Sequence, residues 1–245
     1  MLGADGLHSV VRAMTLGDGP PRPRGLCTWR AVTTVPDSLA ERLAGGEWWG
    51  RGSVFGAQHL PGNQVYWYAA KRVRPGDQTS GESDKPGLLD TFADWSDPVP
   101  QLIEGTPDGA VLRNELFDRP APQTLAFGRV GLLGDAAHPM LPYLGQGACQ
   151  AIEDGVAVAD ALAASSDDPE RGLQAYSRKR LRPAAEAVVQ SMRMSRVAHV
   201  RNPVAVALRS ALLRRASADA TLTRLAPIVG GGSQDTDHGT SRARR

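Results

Sequence analysis

Residues 131–155, Gly-Leu-Leu-Gly-Asp-Ala-Ala-His-Pro-Met-Leu-Pro-Tyr-Leu-Gly-Gln-Gly-Ala-Cys-Gln-Ala-Ile-Glu-Asp-Gly, constrain this chain more than any other segment. A short apolar run from Arg129 to Leu133 ends at Gly134-Asp135. Gly145-Gln146-Gly147 then opens a stretch with Ala148, Ile152, Val156, Ala159 and Ala163 at helical spacing, so the order is strand, tight loop, helix. Such a junction suits an anionic ligand. The first N–H groups of a helix have no intrahelical partner and carry partial positive charge, and glycine lets a ligand come close to the backbone. Asp135, at the end of the strand, is placed to accept hydrogen bonds from sugar hydroxyls.

The rest of the composition narrows the class. A chain of 245 residues, 41% hydrophobic and 22% charged, can bury a sizeable core and reads as soluble and globular. No apolar run approaches the roughly 20 residues of a membrane span. Met1 to Gly6 has no basic flank followed by an apolar core, so a secretory signal is not expected. Cys27 and Cys149 have neither metal-ligand spacing nor the pattern of a disulfide framework. The expectation is a cytoplasmic protein without a metal. Charge is uneven along the chain: residues 1–170 hold 13 Lys/Arg against 22 Asp/Glu, and residues 171–245 hold 15 against 4. With no nucleic-acid motif and little aromatic interleaving, the basic end reads as a solvated helical face, and neither nucleic acid nor membrane is expected as a partner.

Elsewhere the pattern alternates between strands and helices. Residues 17–25 form a Pro/Gly-rich connector. Leu26 to Val35 and Gln64 to Lys71 read as strands, with Pro61-Gly62-Asn63 as a turn. Trp29-Arg30, Trp48-Trp49, Phe55 and Tyr66-Trp67-Tyr68 gather most of the aromatics there, as a sheet core would. Gly50 to Gly56 reads as a turn between strands. Residues 74–87 are a polar loop, Leu88 to Trp95 and Val99 to Glu104 short helices, and Val111 to Phe117 a returning strand. Asp168-Pro169 caps a long helix with Leu173, Tyr176, Leu181, Ala184, Val188 and Met192 on its apolar face, which Pro183 is expected to bend. Further helices are expected near 203–215 and 217–226, followed by a polar, disordered tail.

Gly134, Asp135, Ala136, Ala137, His138, Pro139, Pro142, Gly145, Gln146 and Gly147 together closely resemble the "GD" motif of the FAD-dependent monooxygenases of the aromatic-hydroxylase type, the class A flavoprotein monooxygenases. Near the N-terminus, Asp5, Gly6, Ser9 and Arg12 resemble the "DG" motif of the same family. The resemblance spans roughly residues 1–215. The second motif would normally follow a buried strand, but only Met1 and Leu2 precede it, too few to pair securely. The family's Gly-x-Gly-x-x-Gly unit is not found in this sequence.

The resemblance implies a mixed α/β fold: a partial Rossmann-like FAD-binding domain with an inserted β-sheet substrate domain and C-terminal helices. The implied divisions are 1–23, 24–120, 121–164, 165–228 and a tail at 229–245. It implies FAD as cofactor, NADH or NADPH as reductant, O2 and an electron-rich small molecule as co-substrates, and hydroxylation as the reaction. Asp5, Gly134, Asp135, Gly145, Gln146, Gly147, Ala148 and Cys149 are implied on the cofactor side, with Asp5 acting indirectly and Asp135 toward the ribityl and pyrophosphate side. Pro142 would shape the flavin face, Arg12 would anchor a loop or lie near the reductant's path, and His138 would be structural. The family often has Asn where Cys149 stands, so only a backbone contact carries over there. A polypeptide of these 245 residues alone is expected to hold FAD weakly and to be inactive. The competing expectations are a related flavin reductase or halogenase, and a non-catalytic remnant or subunit that complements a separate N-terminal half or forms a homo-oligomer.

Overall fold

The computed structural model describes residues 1–43, 45–73 and 84–215. The loop residues 74–83, the helix expected at 217–226 and the tail lie outside the described residues. Two sheets organise the rest. In the smaller, β1 (Leu2–Gly3), β7 (Ala126–Phe127) and β8 (Val130–Leu132) lie in the order β1-β8-β7. Strand β1 runs parallel to β8 with Leu2 opposite Gly131, and the Gly131 N–H to Met1 carbonyl and Leu133 N–H to Gly3 carbonyl bonds, both 3.0 Å, flank the pair. The expectation that two residues are too few to pair is therefore corrected. Close packing explains it: helix α1 (Val10–Leu16) lies so near that a Cβ on Gly3 would sit 2.8 Å from Val11 and 2.9 Å from Leu132.

The larger sheet contains β2 (Arg22–Thr34), β3 (Gly46–Trp49), β4 (Ser53–Leu60), β5 (Gln64–Arg72) and β6 (Leu112–Asp118), all antiparallel, in the order β3-β4-β5-β2-β6. The Pro61–Asn63 turn joins β4 to β5 as expected, with Asn63 at φ 56°. Strand β2 starts at Arg22, inside the expected connector, and an irregularity between Pro23 and Cys27 absorbs Gly25 at φ 59°.

Because side chains alternate across a strand, this sheet sorts its aromatics. Trp29, Phe55, Val65, Trp67 and Ala69 are buried against Leu88 and Phe92 of α3 (Lys85–Phe92) and Val99, Leu102 and Ile103 of α4 (Val99–Glu104). Phe55 stacks on Trp67 at 5.4 Å, and the Trp67 indole N–H donates to the Thr106 hydroxyl at 2.8 Å. The opposite face carries Thr28, Arg30, Tyr66, Tyr68, Ala70 and Asn114 and is left to line a cavity.

The second core joins Leu125, Leu132 and Ala137 to Ala157 and Val158 of α5 (Gly147–Ala163) and to Leu173 and Tyr176 of α6 (Pro169–Ala198). Helix α5 has the expected extent but a different orientation. Its buried residues are Gln150, Asp154, Ala157 and Val158, while Ile152 is 68% and Val156 59% exposed. Two faces of this helix carry apolar residues at i, i+4 spacing, and the one that packs inward includes two polar side chains. Helix α6 begins as expected, the Asp168 carboxylate accepting from the Arg171 N–H at 3.1 Å with Pro169 in the first turn, and runs through Pro183 to Ala198. Helix α7 (Pro203–Arg215) packs across the β3–β4 end of the large sheet, where the buried Arg209 donates to the Trp49, Gly50 and Ala198 carbonyls. Among the described residues, no helix is long and apolar enough to cross a membrane.

Candidate active site

The 134–145 loop supplies little regular structure of its own beyond two 3-10 turns, Gly134–Ala136 and Pro142–Leu144. Residues from elsewhere hold it. Gly134, at φ 57°, turns the chain where a Cβ would also press on Ala151 at 3.2 Å. Its N–H donates at 2.9 Å to the fully buried Asp154 carboxylate, which also faces His138 Nε2 at 2.5 Å and accepts from Arg180 Nε at 2.7 Å. Arg180 extends this network to Glu153 at 2.5 Å and to the Gln150 amide oxygen at 2.7 Å. Burial pushes Asp154 up, but the hydrogen bond and charge of His138, then Arg180 and the Gly134 N–H, outweigh it and hold the carboxyl below its ordinary range. His138 is buried and oriented on α5, which gives it the structural place expected of it.

Arg12 secures the same loop from the other side. Its side chain is 1% exposed and donates to the Ala136 carbonyl at 3.1 Å, the Ala137 carbonyl at 2.6 Å and the Pro120 carbonyl at 2.8 Å, while Asp18 takes its Nε and NH2 at 2.9 and 2.6 Å. Arg119 shares Asp18 at 3.1 Å and ties it to the Leu7 and Gly19 carbonyls. Arg12 thus bonds three backbone carbonyls at and beside the loop. Asp5 caps α1: its carboxylate accepts from the Ser9 hydroxyl at 2.5 Å and from the Val10 and Val11 N–H groups at 2.8 and 3.2 Å. The Ser9 hydrogen bond, working against burial and assisted by these N–H groups, lowers its pKa.

Two cavities meet at the loop. The first is a groove of about 560 Å³ lined by Ala4, Gly6, Gly134, Asp135, Gly147 and Ala148 among others. Its floor is short of side chains: a Cβ on Gly6 or Gly145 would meet nothing within 4 Å, and one on Gly147 only the Met140 Cγ at 4.0 Å. The start of α5 opens onto it, and the N-cap residue Gln146 makes no side-chain capping bond to the first N–H groups of the helix. Asp135 is exposed, and among the described residues no hydrogen bond engages its carboxylate. Gln146 and Cys149 stand at the helix start without lining the groove.

The second cavity, about 680 Å³, lies between the loop and the large sheet. Its wall is a row across four strands, Arg30 opposite Tyr68, Tyr68 opposite Gly56 and Gly56 opposite Glu47. The missing Cβ of Gly56 is what lets the Tyr68 ring lie across β4, since a Cβ there would come within 2.3 Å of it, and so the Tyr68 hydroxyl reaches the Glu47 carboxylate. Burial first, then the Glu47 hydrogen bond and charge, raises the Tyr68 pKa. From the loop side come Pro139, Met140, Pro142, Tyr143 and Leu144. Asp135, Met140, Pro142 and Gly145 line both cavities, so the groove opens directly into the larger space.

Strand alternation around Trp29 and Trp67 is a signal in the sequence that separates Arg30, Tyr66 and Tyr68 from the core-facing indoles. Asp154, Arg180 and His199 give no comparable signal, because a buried polar residue on a long helix looks the same in sequence as an exposed one.

A groove lined by glycines at a helix start thus lies beside a second cavity large enough for a small ring. A family model described as "FAD binding domain" matches residues 1–192, and the chain belongs to this family, whose relatives here are FAD-dependent monooxygenases. The chain is 38% identical over 219 residues to aurachin C monooxygenase/isomerase of Stigmatella aurantiaca, covering 89% of this chain and 56% of that protein. It is 34% identical over 204 residues to 3-amino-4-hydroxybenzoate 2-monooxygenase of Streptomyces cremeus, covering 82% of this chain and 50% of that one. It thus spans about half the length of these curated relatives. In fold it is similar to Klebsiella pneumoniae HpxO, crystallised with FAD and uric acid, with a TM-score of 0.86 at 24% identity, covering 96% of this chain and 60% of the other. Salicylate hydroxylase in a substrate complex gives a TM-score of 0.72 at 21% identity, covering 96% and 64%.

Proposed function

We propose that the two cavities form the flavin side and the substrate side of one site, in an FAD-dependent, NAD(P)H-driven monooxygenase that hydroxylates an electron-rich aromatic or similar small molecule. The observation that carries this reading is their shared border at Asp135, Met140, Pro142 and Gly145, which would bring a ring in the larger cavity against a cofactor in the groove. The groove's residues fit the isoalloxazine and ribityl part of FAD. The open faces of Gly145 and Gly147 accept a flat ring, and the uncapped start of α5 favours negative charge at its edge. The unengaged Asp135 carboxylate is an acceptor for ribityl hydroxyls, and Ala148 offers its backbone N–H. Asp5 acts only through the α1 cap and the Gly6 backbone, and Arg12 through the loop.

When bound and reduced by NADH or NADPH, FAD would supply the oxygen-activating chemistry. This chain's own task is to hold the ring substrate between the sheet wall and Pro142, to exclude water, and to keep the loop rigid. A volume of about 680 Å³ is within the ordinary range for one small ligand. Ring compounds carrying oxygen or nitrogen, of the kinds in the names of the relatives and of HpxO's ligand, are the first to test.

A polypeptide of these 245 residues is expected to hold FAD weakly, because the adenosine end of the cofactor has no Gly-x-Gly-x-x-Gly turn here. The decisive experiment measures NAD(P)H oxidation by the FAD-loaded protein with a panel of phenols, aminobenzoates and N-heteroaromatics under 18O2. Substrate-dependent oxidation with one labelled oxygen in the product is expected. Oxidation without incorporation would favour a reductase, and neither activity in protein that retains FAD would overturn the reading, whereas failure to retain FAD is the outcome expected of these 245 residues alone.

A further inference from the structure

His199 lies at the end of α6, 2% exposed, and lines neither cavity. Its Nδ1 is 2.9 Å from the Gly52 carbonyl and its Nε2 is 2.5 Å from the Tyr143 hydroxyl, with the two rings edge to face at 5.3 Å. A carbonyl can only accept, so Nδ1 carries the proton. In a neutral ring Nε2 is then a lone pair, and the Tyr143 O–H must donate to it. Burial pushes the imidazole below its ordinary range, and the charges of Arg72 on β5 and Arg209 on α7 act in the same direction against the Gly52 hydrogen bond. Arg51, whose Nε donates to the Arg201 carbonyl at 2.7 Å, lies beside Gly52, and the Arg201 side chain packs on Gly52 itself; among the described residues the charges acting on the two rings are Arg72 and Arg209 on His199, and Arg72 and Glu47 on Tyr143.

The geometry points to His199 as a positioning residue: it ties the β3–β4 turn to the Pro142–Leu144 loop and turns the Tyr143 proton away from the cavity, so that Tyr143 meets a ligand as a hydrogen-bond acceptor. Tyr68, whose proton goes to Glu47, presents the same polarity from the opposite wall. The two walls are thereby held in register by α6, which also fixes the loop through the Ser191 hydroxyl on the Leu141 carbonyl. Protonating His199 would reverse the arrangement, since Nε2–H would donate to Tyr143 and release its proton toward the cavity. The effect on ligand choice rests on the reading of this cavity as the ring site; the tautomer and the clamp do not.

Two measurements test this. In 15N-histidine spectra of the full chain at pH 7, with His199→Gln used for assignment, His199 is expected as the Nδ1–H tautomer with Nε2 accepting a hydrogen bond that disappears in Tyr143→Phe. An Nε2–H tautomer or an imidazolium would overturn the proposal. In the FAD-loaded protein, phenol is expected to bind about 5- to 10-fold tighter than anisole, the ratio that one hydrogen bond sustains. Tyr143→Phe and His199→Phe should bring the ratio near one, and His199→Gln, whose amide oxygen can accept from Tyr143, should restore part of it. A ratio unchanged in Tyr143→Phe and His199→Phe would refute the positioning role even if those variants melt lower, whereas failure of phenol to bind the wild type would overturn the reading of this cavity as the ring site. A confirmed tautomer in a protein with no flavin-dependent turnover would sink the functional reading alone.

Discussion

Replacing Asp154 tests most directly what holds the cofactor loop. The carboxylate is 0% exposed and serves the Gly134 N–H, His138 Nε2 and Arg180 Nε together. Removing one partner of a buried ion pair costs about 3–5 kcal/mol, because the other charge stays buried. Asp154→Asn keeps one acceptor and belongs at the lower end of that range; Asp154→Ala belongs at the upper end. At about 2–4 °C per kcal/mol for a chain of this size, the melting temperature should drop by roughly 10 °C. The pH dependence has a definite sign. The folded protein holds the Asp154 carboxyl below its ordinary value of 3.8, so its stabilisation is fully present above that value and is lost as pH falls through the lower folded one. Circular-dichroism melts should therefore show a gap between wild type and Asp154→Asn that is constant from about pH 5 to 8 and narrows below about pH 4. Adding Arg180→Met should recover part of the loss by removing the stranded charge. A gap under about 1 kcal/mol, or one that widens on acidification, would refute the network as the loop's anchor.

Three further substitutions separate the loop from the two cavities. Gly147→Ala should leave the melting temperature unchanged or slightly raised, since alanine favours a helix and a Cβ there meets only Met140 at 4.0 Å, while visible-absorbance titration shows weaker FAD binding. Gly56→Ala drives a Cβ to within 2.3 Å of the Tyr68 ring and should cost about 1–3 kcal/mol in urea unfolding and break the Tyr68–Glu47 contact, with loss of ring-ligand binding. Arg12→Lys keeps the charge but not the fork that reaches the Ala136, Ala137 and Pro120 carbonyls, so both stability and FAD retention should fall, by about 1–3 kcal/mol in the former.

Much of this fold is legible in the sequence because local chemistry agrees with the final packing. Asp168-Pro169, Pro61-Gly62-Asn63 and the Gly134 and Gly145 turns carry their own geometry, and the structure keeps each of them. The large sheet is legible too, since β2 and β5 are rich in β-branched and aromatic residues and the Pro61–Asn63 turn marks the start of β5. Helix α5 misleads for a physical reason. Ile152 and Val156 are spaced i, i+4, as are Asp154 and Val158 on the inward face, and only the partners contributed by α6 decide which face turns inward. Strand β1 looks too short to pair because its stability comes from Gly3 packing on α1 and β8 rather than from its length.

The anchors of the 134–145 loop come from distant parts of the chain: Arg12 from α1, Asp154 from α5, Ser191 and His199 from α6. None of the four lines either cavity. A loop that must leave its glycine faces and helix N–H groups open to a ligand cannot also use them to hold itself in place. Its rigidity has to be supplied from behind, by Arg12 and Ser191 on its carbonyls, Asp154 on the Gly134 N–H and His199 on the Tyr143 hydroxyl, which leave its front free. This division of labour explains why Arg12 and Asp154 are buried behind the loop, and why replacing either should disturb ligand binding in the groove without altering a residue that lines it.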